Sequence, residues 1–270
     1  MNRFLRLFRF GNGIMGVIGV IVGAFIASGT GITEYAFGIG LSCVIVFIFM
    51  AGGNALNDYI DREIDKTAHP DRPVPRGEIS PRTALAAGIA MMIVSALLSL
   101  LYRDILSTGL VLIAAGLMVS YEVFLKQRGF AGNVTIAALT GMLFLVGGAI
   151  CGNMYACVPV ALMSFFANVG REISKDIEDE ESDEGRRTLP MAVGSRAAAG
   201  IASVFFIAGV VLSVWPIIEK TLNSFYMLVF LPDAIFIYTA IIVFKNANRA
   251  QKSAKIAMLI ALAAFIIGVI

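Results

Sequence analysis

Two runs of carboxylates in this chain share one internal spacing. Asp58, Asp61 and Asp65 follow Asn57 in the stretch 57–65, and Asp176, Asp179 and Asp183 take the same relative places in 175–183. Positions 0, 3 and 7 of a helix lie on one face, so each run gathers negative charge that calls for cations among it. Carboxylate and amide oxygens are the donors magnesium prefers, in a shell it shares with water and substrate phosphate. Two such faces brought together would hold a diphosphate through divalent ions and draw off charge as its bond to carbon breaks. Asn57, Asp58, Asp61, Asp65, Asp176, Asp179 and Asp183 are therefore the candidate metal ligands, with Mg2+ as cofactor. Either run alone would read as a solvated face; the repeat is what makes the pair a site.

If the carbon is allylic, bond breaking leaves a delocalised cation, and a lipid-lined cavity would keep water from it. Lys175, beside the second run, and Arg72, Lys126 and Tyr121 are placed in sequence to support the leaving diphosphate. An acceptor that carried its own phosphate would need further cations, for which Arg9, Arg72, Arg76, Lys126 and Arg128 are candidates.

These residues must be positioned by membrane-spanning elements. Of 270 residues 58% are hydrophobic, and mean hydropathy is +0.84, far above what a soluble domain needs. Nine apolar stretches of roughly bilayer length run near 10–28, 35–57, 83–101, 105–123, 132–151, 155–170, 197–217, 224–244 and 254–270. With the N-terminus cytoplasmic, 19 of the 21 Lys and Arg fall on cytoplasmic segments, leaving Arg103 and Lys220 outside. That bias fits a multi-pass protein of the cell membrane with both acidic runs cytoplasmic and the C-terminus outside. The first stretch reads as a retained helix and not a signal peptide.

The acidic runs are 118 residues apart, four helices from one another, and each precedes a loop with an Arg/Pro signature: 72–75, echoed by 187–190. This predicts an all-α fold of nine transmembrane helices around a central cavity, built as two related four-helix halves plus a ninth helix. The whole of 1–270 reads as one integral-membrane domain. Pro70, Pro73, Pro75 and Pro81 stop a helix from crossing the first loop, and Gly185 and Pro190 the second.

Other features exclude other functions. The net charge of +2 follows membrane topology and is no nucleic-acid footprint. Cys43, Cys151 and Cys157 form neither a zinc spacing nor a disulfide framework. His69, the only histidine, reads as an exposed loop residue. Asp233, beside Pro232 in the eighth stretch, is an intramembrane acid without an assigned catalytic part. A cation-coupled transporter would also have internal repeats, but its ion groups usually lie near the midplane and not at helix ends among Lys and Arg.

Over essentially its whole length the chain resembles the UbiA superfamily of intramembrane prenyltransferases. The first acidic signature of that family matches Asn57, Asp58, Asp61 and Asp65; the second matches Asp176, Asp179 and Asp183; a Tyr followed shortly by Lys at the end of the fourth helix matches Tyr121 and Lys126. The stretches 52–59, which includes Asn54, and 72–75 with Leu139, Thr140, Gly141, Gly147 and Gly148, are most similar to the archaeal ether-lipid members. The resemblance implies nine helices and magnesium. It also implies an isoprenyl diphosphate donor, geranylgeranyl diphosphate, and a lipid glycerol phosphate acceptor, geranylgeranylglyceryl phosphate. Tyr121, Lys126 and Lys175 would be catalytic, and Arg9, Asn54, Arg72, Arg76, Lys126 and Arg128 would bind substrate. An aromatic quinone precursor is the alternative acceptor. The chain departs from the pattern at Glu122, where Asn is expected, and at Phe10, where related chains often have Pro.

Overall fold

The computed structural model describes residues 2–180 and 188–270. Nine longer helices follow one another among these residues: α1 (Phe10–Ser28), α2 (Ala36–Ile60), α3 (Pro81–Ser99), α4 (Ile105–Ser120), α5 (Phe130–Ile150), α6 (Val158–Glu178), α7 (Ser195–Leu212), α8 (Phe230–Ile242) and α9 (Ala247–Val269). Eight continuous helical stretches are long and apolar enough to cross a membrane. The first of them, Phe10–Ile60, spans 51 residues and is divided by the 3-10 segment Gly29–Tyr35 into α1 and α2. The nine stretches expected from hydropathy are these eight, with the first counted as its two helices.

Local chemistry sets the ends. Ser80 accepts the Thr83 N–H with Pro81 as the first helical residue of α3, Asp104 accepts the Ser107 N–H at 2.7 Å to start α4, and Asn246 accepts the Arg249 N–H to start α9. Gly29, at φ +56°, closes α1. Large apolar side chains such as Phe37, Ile105, Val204 and Ile241 are exposed on the outer faces, as lipid contact requires.

Each helix packs on the next in chain order, and α9 packs back on α1, so the nine form a closed ring. The α1–α5 contact joins the two halves across the middle. There the backbones touch: a Cβ on Gly147 would stand 2.2 Å from the Val20 carbonyl oxygen, and one on Gly23 would stand 2.3 Å from that of Phe144.

The repeat is visible in the helix ends. α2 stops at Ile60 and α6 at Glu178, 118 residues on. The capping residues are Asp61 (φ −83°, ψ 4°) and Asp179 (φ −88°, ψ 1°), whose N–H groups donate to the carbonyls of Asn57 and Lys175. In each run the first Asp is therefore helical and the second caps the helix, and in the first run the face of three carboxylates is not continuous. Asp65 opens a short helix, Asp65–Ala68; Asp183 lies outside the described residues.

α7 ends at Leu212 rather than 217 and α8 begins at Phe230 rather than 224, while two other helices run on past the hydropathy reading. α6 continues through Arg171–Glu178 and α9 begins at Ala247 rather than 254. Both extensions carry charge, which ends a span but not a helix.

Candidate active site

The end of α2 is capped by the loop that follows it and by the N-terminal turn Arg3–Leu7. Leu7, Ala55, Val74, Ile79 and Ala84 form a small buried cluster beneath Phe4, Phe8 and Tyr59. Arg6 donates to the Glu78 carboxylate at 3.1 Å, and Arg3 donates to the Glu78 carbonyl. This packing brings Arg9 and Arg72 down onto the first acidic run.

Asp58 is 1% exposed and needs compensation. Arg9 donates to it at 2.7 Å and also donates to Asn57 Oδ1 at 2.8 Å, while Arg72 stands 3.8 Å away. Arg9 holds this pose with φ +46°, a left-handed backbone uncommon for a side-chain-bearing residue and typical of functional constraint. Asp65, also buried, is paired with Arg72 at 2.5 Å. Asp61 is paired with Lys126, whose side chain is 7% exposed. The three carboxylates thus hold three cations from different elements.

Lys126 comes from the end of the π-turn Tyr121–Leu125 that terminates α4, and its N–H donates to the Tyr121 carbonyl. π-turns within helices recur at functional sites. The same turn carries Glu122, buried, which accepts from Asn57 Nδ2 at 3.2 Å and from Lys126 Nζ at 3.3 Å.

At the second run, Asp176 accepts from Asn133 Nδ2 of α5 at 2.8 Å. Asp179 is half-buried at the helix end, and Lys175 is exposed on the last turn of α6. The neighbouring Glu178 turns away and accepts from Asn248 and Gln251 of α9. His69, exposed on the rim, has its pKa lowered by partial burial and then by Arg72, against Asp65, with Arg9 and Lys175 adding in the same direction. Lys175 of the second half thus acts on the same imidazole as the cations of the first, at the mouth that His69 lines.

Not every predicted binder faces that mouth. Asn54 donates to the Phe8 carbonyl at 3.0 Å and so braces the N-terminal turn. Arg76 is exposed and pairs with Glu78 at 3.4 Å, and Arg128 is exposed beyond the π-turn. Asp233 accepts from Ser213 at 2.7 Å, at the opposite end of α7 from the acidic runs. Glu122, Asn133 and Arg6 are the contributors that sequence spacing missed. The one signal for Glu122 was an acid four residues before a lysine at the end of an apolar stretch.

Two spaces meet here. A mouth of about 670 Å³ is lined by Arg6, Arg9, His69 and Arg72 together with Leu5 and Phe10. An apolar cavity of about 270 Å³ lies between α1, α2, α5, α6, α8 and α9, against Met15, Met50, Leu143, Phe144, Met163 and Phe265. Asn12 lines both. A ligand with an anionic head and a long apolar tail fits that sequence of surfaces.

Among the described residues, no three acidic, histidine or cysteine side chains are gathered as a ready ion cage. The donor set nonetheless suits magnesium. It is all oxygen, and its buried carboxylates are held by arginine and lysine side chains that can exchange for a divalent ion.

Comparison with known proteins agrees with this chemistry. Residues 16–265 match the model of the UbiA prenyltransferase family. The digeranylgeranylglyceryl phosphate synthase of Thermococcus kodakarensis is 36% identical over 262 residues, covering 94% of this chain and 93% of that protein. The enzyme of the same name from Methanopyrus kandleri is 36% identical and covers 98% of each. A solved structure of a digeranylgeranylglyceryl phosphate synthase superposes with a TM-score of 0.87 at 34% identity, covering 99% of this chain and 97% of that one. A UbiA homologue from Archaeoglobus fulgidus bound to GPP and Mg2+ shares the fold, with a TM-score of 0.73 at 16% identity over 98% of this chain and 99% of that one.

Proposed function

The chain belongs to the UbiA prenyltransferase family, and from that premise we propose that it transfers a geranylgeranyl group from geranylgeranyl diphosphate to geranylgeranylglyceryl phosphate, whose product would be the digeranylgeranylglyceryl phosphate after which the synthases it resembles are named. The observation that carries the reading is the end of α2: three buried carboxylates, Asp58, Asp61 and Asp65, held by Arg9, Lys126 and Arg72 at the head of an apolar cavity. Family membership sets the transporter alternative aside.

Asn57, Asp58, Asp61 and Asp65 from one half, with Asp176, Asp179 and Asp183 from the other, would hold magnesium. When bound, it would supply Lewis-acid stabilisation of the leaving diphosphate. The chain's own residues do the rest. Lys126, Arg72 and Lys175 neutralise diphosphate oxygens as the allylic carbon–oxygen bond breaks, and Tyr121 stands on the same turn as Lys126. The apolar walls exclude water from the resulting carbocation. The acceptor's glycerol hydroxyl attacks the allylic carbon, an ether bond forms, and the hydroxyl proton passes to the released diphosphate. Arg9 and Arg72 in the mouth receive the acceptor's phosphate. The mouth opens to the cytoplasm.

Incubation of the purified protein with magnesium and both lipids, followed by mass spectrometry, tests this. The expected product is a doubly prenylated glycerol phosphate that disappears with chelator. An enzyme that turned over only aromatic acceptors would overturn the acceptor assignment.

A further inference from the structure

Glu122 is a buried acid within the site that the chemistry above does not use. It is 6% exposed, and its carboxylate accepts from Asn57 Nδ2 at 3.2 and 3.4 Å and from Lys126 Nζ at 3.3 Å. Lys126 also contacts Asp61. One ammonium is thus shared by two carboxylates from different elements. Asp61 belongs to the end of α2, whereas Glu122 precedes Lys126 by four residues and shares its π-turn.

Asp61 has two claims on it, the lysine and a divalent cation. Lys126 occupies Oδ2, so to offer the cation both oxygens Asp61 releases the lysine, and a buried ammonium left without a counter-charge is strongly disfavoured. Glu122 removes that obstacle, because it keeps a carboxylate on Lys126 throughout, and the Asn57 amide fixes its orientation.

We propose that Glu122 is a positioning residue that retains Lys126 when Asp61 exchanges the lysine for a divalent cation. The inference rests on the metal role assigned to Asp61 above. A shared ammonium lets the same lysine stand beside the cation and face the diphosphate.

The test is a double-mutant cycle on the full-length protein in detergent, with Mn2+ binding read by electron paramagnetic resonance in the absence of lipid substrate. Glu122→Gln should weaken Mn2+ binding about tenfold, the scale of one charged hydrogen bond in a buried place. In a Lys126→Met background, where Asp61 has no lysine to release, the same change should shift binding by less than about twofold. Glu122→Asp, which keeps the charge, should restore most of the affinity, and equal melting temperatures would exclude a folding defect. An equal loss in both backgrounds would mean that Glu122 attracts the ion directly and would overturn the proposal. No loss in either, or no Mn2+ uptake by the wild type, would also overturn it. The lipid-transfer assay on the same samples separates the two readings. Coupling present without ether product supports the role of Glu122 and overturns the acceptor assignment.

Discussion

Asp61 and Asp179 end their helices with the same backbone geometry but sit among different side chains. Asp61 is buried against Lys126, while Asp179 is half-buried and next to an exposed Lys175. Removing either carboxylate should cost catalysis more than folding, since each lies at a helix end and not within the packed middle. Asp61→Ala and Asp179→Ala are each expected to lower turnover by about 100-fold or more at saturating magnesium, the loss typical of one preorganised electrostatic contact, with helix content by circular dichroism unchanged. Near-normal turnover in both would sink the two-cluster chemistry. Residue types and spacing were enough to find these acids and the lysine at 126. They were not enough to give Asn54 its place, because the side of α2 it faces depends on where the N-terminal turn docks. Nor did they give Glu122 a role, because its partner Asn57 comes from another helix.

The helices were legible wherever apolar composition alone decided them. They were not where charge lay on a continuing helix, as in the last two turns of α6 and the first of α9. The break of α4 into a π-turn at Tyr121–Leu125 was equally hidden, since it depends on which side chains the turn must aim. Close helix crossings sit between these extremes: glycines are spread across the helices, and only the structure shows that those of α1 and α5 touch. Gly147→Ala should force α1 and α5 apart, because its Cβ would meet the backbone at Val20 and Ala24. A loss of about 1–3 kcal/mol is expected from such overpacking, read as a lower melting temperature in detergent. Gly109→Ala, with open space around it, should melt no lower than the parent. Equal behaviour of the two variants would refute the tight crossing.

At the scale of the molecule, the charge asymmetry between loops is the basis of the proposed orientation, with the mouth on the cytoplasmic side. In a background without the three native cysteines, a cysteine at Arg76 should react with a membrane-impermeant maleimide only from the cytoplasmic side, and one at Glu219 only from the other. The reversed pattern would invert the topology. The closure of the ring by α9 on α1 has a consequence for how the protein is made. α9 leaves the ribosome after the other eight helices, so on the order of ten seconds or more of elongation separates α1 from its last neighbour. At the end of that interval, with α8 made and α9 still to come, the apolar cavity would be a groove open along one seam, where bilayer acyl chains are the expected filling. On that order of events the nascent enzyme would hold lipid before it has a chamber, and the arrival of its last helix would enclose a space already wetted by hydrocarbon.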